Sequence, residues 1–459
     1  MKNQRLKLQF QTIVFSGLIF ISNICQAQVS FTESLIEEDY EGTMSVYAID
    51  MENDGDMDIL GAAYDGNSID WWENNGSENF TRNTIASNYA GALCIFAIDI
   101  DNDNDADVLS TASNNHRVSL WINDGNNNFQ EDTISPTWSD PHTVYADDLD
   151  QDGDIDIFCT YWGNQGIHWW ENDGQGSFTE NTLATFSQAT SVYIADMDND
   201  GDKDVLGTSY GGGRIYWWEN DGSQNFTQHE IVFAAAHWVR AVDMDNDGDM
   251  DIVGSSCGTY IKWWENDGAQ NFTAHTITAS FYCAAQICVA DMDNDGDIDV
   301  VGSAEMHNKI AWWENDGQQS FTKHPVSGYF EGASGVYAVD MDYDEDIDVI
   351  GSARFGNKIS YWKNGLGTDI DTPFQNDGVE SLFQVFPNPA NNEITILLKD
   401  YSSENVTLSI YNSFGKLIKD ECSINQKETN INISQFPAGI YFLQVEIGDK
   451  ILFDKVIKL

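Results

Sequence analysis

Nine residues, Asp243-Met244-Asp245-Asn246-Asp247-Gly248-Asp249-Met250-Asp251, recur along this chain at nearly constant spacing. Copies begin at Asp50, Asp99, Asp148, Asp196, Asp243, Asp291 and Asp340, at intervals of 49, 49, 48, 47, 48 and 49 residues. Seven near-identical units at one period demand a repeat architecture, in which each unit buries its apolar surface against its neighbours. That settles the fold class before any single residue is interpreted.

The repeated loop has the chemistry of a calcium site. Carboxylates at positions 1, 3, 5 and 9 surround one point if the backbone turns sharply at position 6, and position 7 can add its carbonyl. Such a set of hard oxygens suits Ca²⁺. Glycine at position 6 supplies the positive φ that the turn needs. The helical version of this loop requires Glu at position 12, where the fifth copy has Gly254. The flanks, Ala241-Val242 and Ile252-Val253, are β-rich, so the loop is expected between two strands.

The candidate ligands are Asp50, Glu52, Asp54 and Asp58 in the first copy, and Asp99, Asp101, Asp103 and Asp107 in the second. Asp148, Asp150, Asp152 and Asp156 follow in the third, and Asp196, Asp198, Asp200 and Asp204 in the fourth. The fifth offers Asp243, Asp245, Asp247 and Asp251, the sixth Asp291, Asp293, Asp295 and Asp299, and the seventh Asp340, Asp342, Asp344 and Asp348. Up to seven structural Ca²⁺ ions are expected. Asn104 and Glu345 replace the glycine in two copies. Asn tolerates the left-handed region and Glu does so poorly, which makes the seventh site the weakest expectation.

Around each loop the unit reads as four strands. Ser45-Val46-Tyr47-Ala48-Ile49 enters the loop, Ile59-Leu60-Gly61-Ala62 leaves it, a third run carries Trp71-Trp72-Glu73-Asn74, and a fourth begins Phe80-Thr81. Asn75-Gly76 marks the turn between the last two. Four antiparallel strands, seven times over, predict an all-β chain whose main domain is a seven-bladed β-propeller. Twelve of the 15 tryptophans fall in the third-strand slot. Adjacent strand residues face opposite sides, so a Trp-Trp pair makes sense where both faces of a blade are covered. His229, His275 and His324 follow the Phe-Thr pair at one repeated offset and are expected to be fourth-strand structure. After Tyr361-Trp362-Lys363-Asn364-Gly365 no fourth strand follows, yet a lone Phe31-Thr32 segment precedes the first unit. Residues 29–36 are therefore expected to close blade seven and remove the open edge of the ring.

These repeats resemble the FG-GAP, or VCBS-type, propeller repeats of integrin α-subunit heads, several lectins and many secreted bacterial proteins. The resemblance covers roughly residues 29 to 365. It implies Ca²⁺ in the loop between the first two strands of a blade, and binding or adhesion more often than catalysis.

The formal net charge of −54 excludes partners that are themselves polyanions. Nucleic acid and anionic membranes would be repelled. The seven loops hold 36 of the 75 acidic side chains. Residues 1–27 combine Lys2, Arg5 and Lys7, an apolar run from Ile13 to Ile21, and Cys25-Gln26-Ala27, which reads as a secretory signal peptide. No other stretch is apolar enough to span a membrane. The mature chain would keep Cys94, Cys159, Cys257, Cys283, Cys288 and Cys422, expected to be buried thiols, with no pairing legible from the spacing.

Ligand binding is expected on the face opposite the aspartate loops, where the second-to-third turns and the connections between blades vary. Trp138, Trp162, Trp238, Tyr161, His142, His237 and Arg240 are the candidates. Aromatic platforms beside hydrogen-bonding groups suit a glycan or a surface protein. The competing reading is a polysaccharide lyase or hydrolase on the same face, using pairs such as Asp140 with Glu331 or His142 with His237. No nucleophile motif is present, and no catalytic residue is assigned.

Residues 366–382 form a polar linker, and the charge balance changes after it. Runs such as Glu393-Ile394-Thr395-Ile396-Leu397 and Ile440-Tyr441-Phe442-Leu443-Gln444-Val445 predict a small Ig-like β-sandwich over 383–459. Val385-Phe386-Pro387-Asn388-Pro389, Pro437-Ala438-Gly439-Ile440-Tyr441 and Lys455-Val456-Ile457-Lys458 resemble the type A sorting domain of the Bacteroidetes type IX secretion system. The resemblance implies passage through the periplasm, contact with that secretion machinery, and delivery to the cell surface or the medium. The expected product is a monomeric, secreted, calcium-stabilised binding or adhesion protein.

Overall fold

Short apolar runs separated by turn residues fold here as small antiparallel sheets. The computed structural model describes residues 29–135, 138–365 and, near the C-terminus, 383–386, 390, 392–398, 406–412, 417–424, 426–436, 439–447 and 450–458. The leader expected at 1–27 and the linker expected at 366–382 lie outside the described residues. After an opening strand β1 (Phe31–Glu37), the first repeat forms β2 (Thr43–Ile49), β3 (Asp58–Ala63), β4 (Ser68–Asn74) and β5 (Phe80–Ser87), paired in that order. Leu60 stands opposite both Tyr47 and Trp71, and a bulge between Thr43 and Ser45 bends the start of β2.

Seven such four-stranded sheets are present among the described residues. The seventh is composite: strands Ala333–Val339, Asp348–Ala353 and Lys358–Asn364 are completed by β1. Phe31 pairs with Asn364 and Ser34 with Tyr361, so the two ends of the ring are hydrogen-bonded to each other. The first strand of each blade adjoins that of the next, and that of blade seven adjoins β2, closing a propeller around a central channel.

The paired tryptophans fill both interblade seams. Trp71 packs with Ala92, Ile95 and Ala97 of blade two, whereas Trp72 packs with Ile350, Ile359 and Tyr361 of blade seven. A buried Trp removes roughly 150–250 Å² from water, worth about 4–6 kcal/mol before entropy is charged. Gly61 makes room for this ring, since a Cβ there would lie 2.9 Å from the Trp72 side chain. Tyr40, Phe233, Phe281 and Phe330 meet Trp72, Trp264, Trp313 and Trp362 edge to face at 5.0, 4.9, 4.9 and 4.9 Å. These connecting-segment aromatics are therefore core, not surface platforms.

Hydroxyls stitch the seams as well. At one repeated place in the second strand, Thr111, Thr208, Ser255, Ser303 and Ser352 donate to the carbonyls of His142, His237, Ala285, Ser334 and Met44 in the next blade, at 2.9, 3.2, 2.8, 2.8 and 3.2 Å. Cys94, Cys159 and Cys288 are buried free thiols, but Cys257 and Cys283 form a disulfide. The pair was not legible from sequence spacing because a seam brings it together. Cys257 follows the second strand of blade five and Cys283 precedes the first strand of blade six.

The C-terminal unit is a separate body. One sheet pairs Phe383–Phe386, Glu393–Leu398 and Glu428–Asn432, and a second pairs Leu417–Ile424, Val406–Asn412, Gly439–Ile447 and Lys450–Lys458. Ile394 and Ile396 from the first share one core with Leu408, Ile410, Leu443 and Val445 from the second.

Candidate metal loops and the channel mouth

Each aspartate loop is a web of side chain to backbone hydrogen bonds, and in the second to sixth loops carboxylate oxygens converge on one point. In the fifth loop, Asp243 accepts from the N–H groups of Asp247 and Gly248 at 3.0 and 2.9 Å, and Asp247 accepts from Asp249 at 3.0 Å. Asp251 is buried and takes N–H bonds on both oxygens, from Met244 at 3.0 Å and Asn266 at 2.7 Å. The φ of Gly248 is 97°, a conformation glycine adopts without strain. Asn104 and Glu345 hold 72° and 74° at the same place and make the same N–H bond to the first aspartate of their loops.

One oxygen from each of Asp243, Asp245 and Asp251 lies within 4.8 Å of the others, and the same holds for Asp99, Asp101 and Asp107, for Asp196, Asp198 and Asp204, and for Asp291, Asp293 and Asp295. These clusters could hold a metal ion. Two further features fit that. Buried oxygens of Asp245, Asp293 and Glu52, all at position 3, lack a hydrogen-bond partner, as does Oδ1 of Asp342, whose other oxygen is bonded by Lys363. Burial pushes the carboxyl of Asp251 up to about 7 and that of Asp299 to about 8, against the N–H bonds they accept, and the neighbouring carboxylates add to the rise. Packing so much negative charge without a cation is unfavourable.

The opposite end of the channel is a cavity of about 500 Å³. Its wall is built from the bulged starts of the first strands and the second-to-third turns. Of the sequence candidates, Trp162, Trp238, His142 and His237 line it, together with Tyr64, Asn114, Asp140, Gln286, Glu305 and Arg354. Trp162 is 37% exposed and stacks on His142 at 5.8 Å and an interplanar angle of 23°. Trp238 carries an indole N–H with no hydrogen-bond partner. The imidazole of His142 donates from Nδ1 to the Thr190 carbonyl at 3.0 Å, and that of His237 to the Ala285 carbonyl at 3.1 Å. Burial lowers both, His142 to about 3, so both rings are neutral. Arg354 pairs with Glu305 at 3.1 Å.

The remaining candidates stand elsewhere. Tyr161 is fully buried in the core shared by blades two and three. Trp138 lies against His168 at 4.5 Å and donates to Glu180 at 2.5 Å, outside the cavity wall. Tyr161 is the last residue of the strand Asp156–Tyr161, whose side chains are all buried, and Trp138, in the connection between blades two and three, packs against the same core. Arg240 lies deeper, on the same strand as Trp238. It belongs to a ring of equivalent first-strand residues, Tyr47, Phe96, Tyr145, Tyr193 and Tyr337, which touch in sequence at 5.0, 5.0, 5.3 and 4.6 Å around the channel. Its guanidinium sits over Tyr193 and Trp238 at 5.1 and 5.2 Å.

Six overlapping stretches, 50–110, 99–159, 148–207, 196–254, 243–302 and 291–351, match the FG-GAP-like repeat. The chain belongs to the FG-GAP repeat proteins. Residues 384–459 match the secretion system C-terminal sorting domain, which marks this FG-GAP protein for export through the type IX system to the cell surface or extracellular space. No helix among the described residues is long and apolar enough to cross a membrane. Among solved structures, a streptogramin B lyase is similar at 14% identity and a TM-score of 0.53, with 73% of this chain and 98% of that one covered. The WD40 β-propeller domain of Doa1 is similar at 13% identity and a TM-score of 0.53, covering 73% and 97%. At such identities the likeness is one of fold. No curated protein matches.

Proposed function

We propose that this FG-GAP protein is an extracellular glycan-binding adhesin, with Ca²⁺ held structurally in its aspartate loops and the ligand taken at the channel mouth. The observation that carries the reading is the cavity itself. At about 500 Å³ it has room for a sugar unit or two, with an exposed Trp162 as a stacking platform and Asn114, Gln286, Asp140 and the Trp238 N–H as hydrogen-bonding groups around it. In the loops, position 1, 3, 5 and 9 carboxylates would hold Ca²⁺, which supplies charge neutralisation and no chemistry.

A catalytic alternative would use the neutral pair His142 and His237, whose rings are 6.1 Å apart in the same cavity. A ring held near a pKa of 3 is a weak proton acceptor at neutral pH, which favours binding over acid–base work. Full-length protein incubated with a polysaccharide panel in calcium separates the two. Retention without newly formed chain ends is expected, and new chain ends would replace the adhesin with a lyase or hydrolase.

A further inference from the structure

The geometry points to a tethered cation in the seventh loop: the ammonium of Lys363 occupies the position of a metal among the loop carboxylates, so that six of the seven loops take Ca²⁺. This rests on the calcium reading above and concerns only how the loops divide.

The third strand of every blade ends in Trp-X-Asn, where X is Glu73, Ile122, Glu171, Glu219, Glu265, Glu314 or Lys363. Five blades carry an acid there, one an isoleucine, and the seventh a base. In blades four to six the acid bonds a fourth-strand histidine, with Glu219, Glu265 and Glu314 at 2.8, 2.8 and 2.6 Å from His229, His275 and His324. Blade seven has β1 as its fourth strand, and there Ser34, opposite Tyr361, stands where His229, His275 and His324 stand opposite Trp217, Trp263 and Trp312, so Lys363 meets no such partner on β1. The lysine instead turns to the loop.

Its Nζ bonds Asp342 Oδ2 and lies 3.8 Å from Asp344 Oδ2. These are positions 3 and 5, two of the four expected metal ligands. A third contact, to Glu78 Oε1 at 3.4 Å, reaches the third-to-fourth turn of blade one, so the same ammonium spans the seam where the ring closes. Among the described residues no other lysine or arginine pairs with a ligand carboxylate of a loop. Lys203, which sits inside the fourth loop, bonds Asp147 on an inner strand instead.

Two further departures fall in the same loop. Position 6 is Glu345 in place of glycine. Position 4 is Tyr343, where the other loops carry an amide that donates to the following loop, as Asn199 does to the Gly248 carbonyl at 3.1 Å and Asn294 to that of Glu345 at 3.0 Å. Tyr343 has no amide to give blade one, and the Lys363 to Glu78 contact bridges that seam in its stead. Ca²⁺ entering the seventh loop must displace the ammonium or sit a few ångströms from it, and either way loses affinity, on the order of 100-fold. A cation that arrives with the chain also holds this loop together before calcium is met.

The test is the number of Ca²⁺ ions bound per full-length chain, from equilibrium dialysis and elemental analysis. Six are expected in the wild type and seven in Lys363→Met. Asp342→Asn should leave the count unchanged while Asp245→Asn lowers it by one, a contrast that needs no change at Lys363 should that variant fold poorly. Seven ions in the wild type, an unchanged count in Lys363→Met, or a lost ion in Asp342→Asn would overturn the inference and leave the calcium reading standing. No bound calcium in any chain would overturn the calcium reading, and the inference with it.

Discussion

The two ends of each blade have been treated differently. At the loop end, seven copies keep aspartate at positions 1, 5 and 9 without exception, and at position 3 only Glu52 replaces it, with another carboxylate. At the cavity end, the second residue of the first strand is Met44, Leu93, His142, Thr190, His237, Ala285 or Ser334, and the third is Ser45, Cys94, Thr143, Ser191, Trp238, Gln286 or Gly335. Between these ends the strands repeat a common pattern. A sevenfold constraint is what a structural role imposes, because every seam and every loop meets the same geometry. Six residue types at each of these two positions around one cavity suit an asymmetric ligand.

The largest effect should come from stripping the loop end. If six sites are each filled at ten times their Kd, binding contributes about 1.4 kcal/mol per site, and chelation should lower the Tm by roughly 10–20 °C. A melt unmoved by chelator would erase the distinction between the ends. Deleting residues 28–40 removes β1 and reopens the ring at blade seven, with an expected loss of about 5–10 °C in calcium. A deletion variant with the wild-type melt would mean that closure does not depend on this strand.

Two tryptophans sharpen the comparison further. Trp263 is 1% exposed in the seam between blades, and Trp263→Ala should cost about 3–5 kcal/mol. Trp162→Ala at the cavity should cost under about 1 kcal/mol and yet abolish glycan retention. Equal losses of stability would show that the cavity end is as structural as the blades.

The smallest effect concerns pH. The folded-state pKa of His142 is lowered to about 3 by burial, while the unfolded ring titrates near ~6.5. Between those values the unfolded chain binds more protons, so this group costs stability progressively as pH falls below about 6.5. His142→Asn, which keeps a donor for the Thr190 carbonyl, should flatten that part of the stability profile, measured against wild type in denaturant melts.

Periodicity made the blades, the loops and the tryptophan seams legible, because each is a local pattern repeated in register. The cavity was legible in part. Trp162, Trp238, His142 and His237 were found as residues that break the repeat, but Tyr161 and Trp138 break it too and are blade core or packed on it. Exposure cannot be read from variability alone. Gln286, Cys94 and Ser45 were missed for the opposite reason: they are ordinary residues, and only aligning the repeats on the bulged strand start brings them onto one rim. The Cys257–Cys283 bond and the Lys363 ion pairs are contacts across seams, which no spacing within one repeat encodes.

The most direct test of the division between the ends is retention of full-length protein on immobilised polysaccharide, compared among wild type, Trp162→Ala and Asp245→Asn at matched amounts of folded protein. Retention by wild type and Asp245→Asn, and its loss in Trp162→Ala, is the predicted result. Retention by Trp162→Ala equal to wild type, or by none of the three, would contradict a ligand site at the channel mouth.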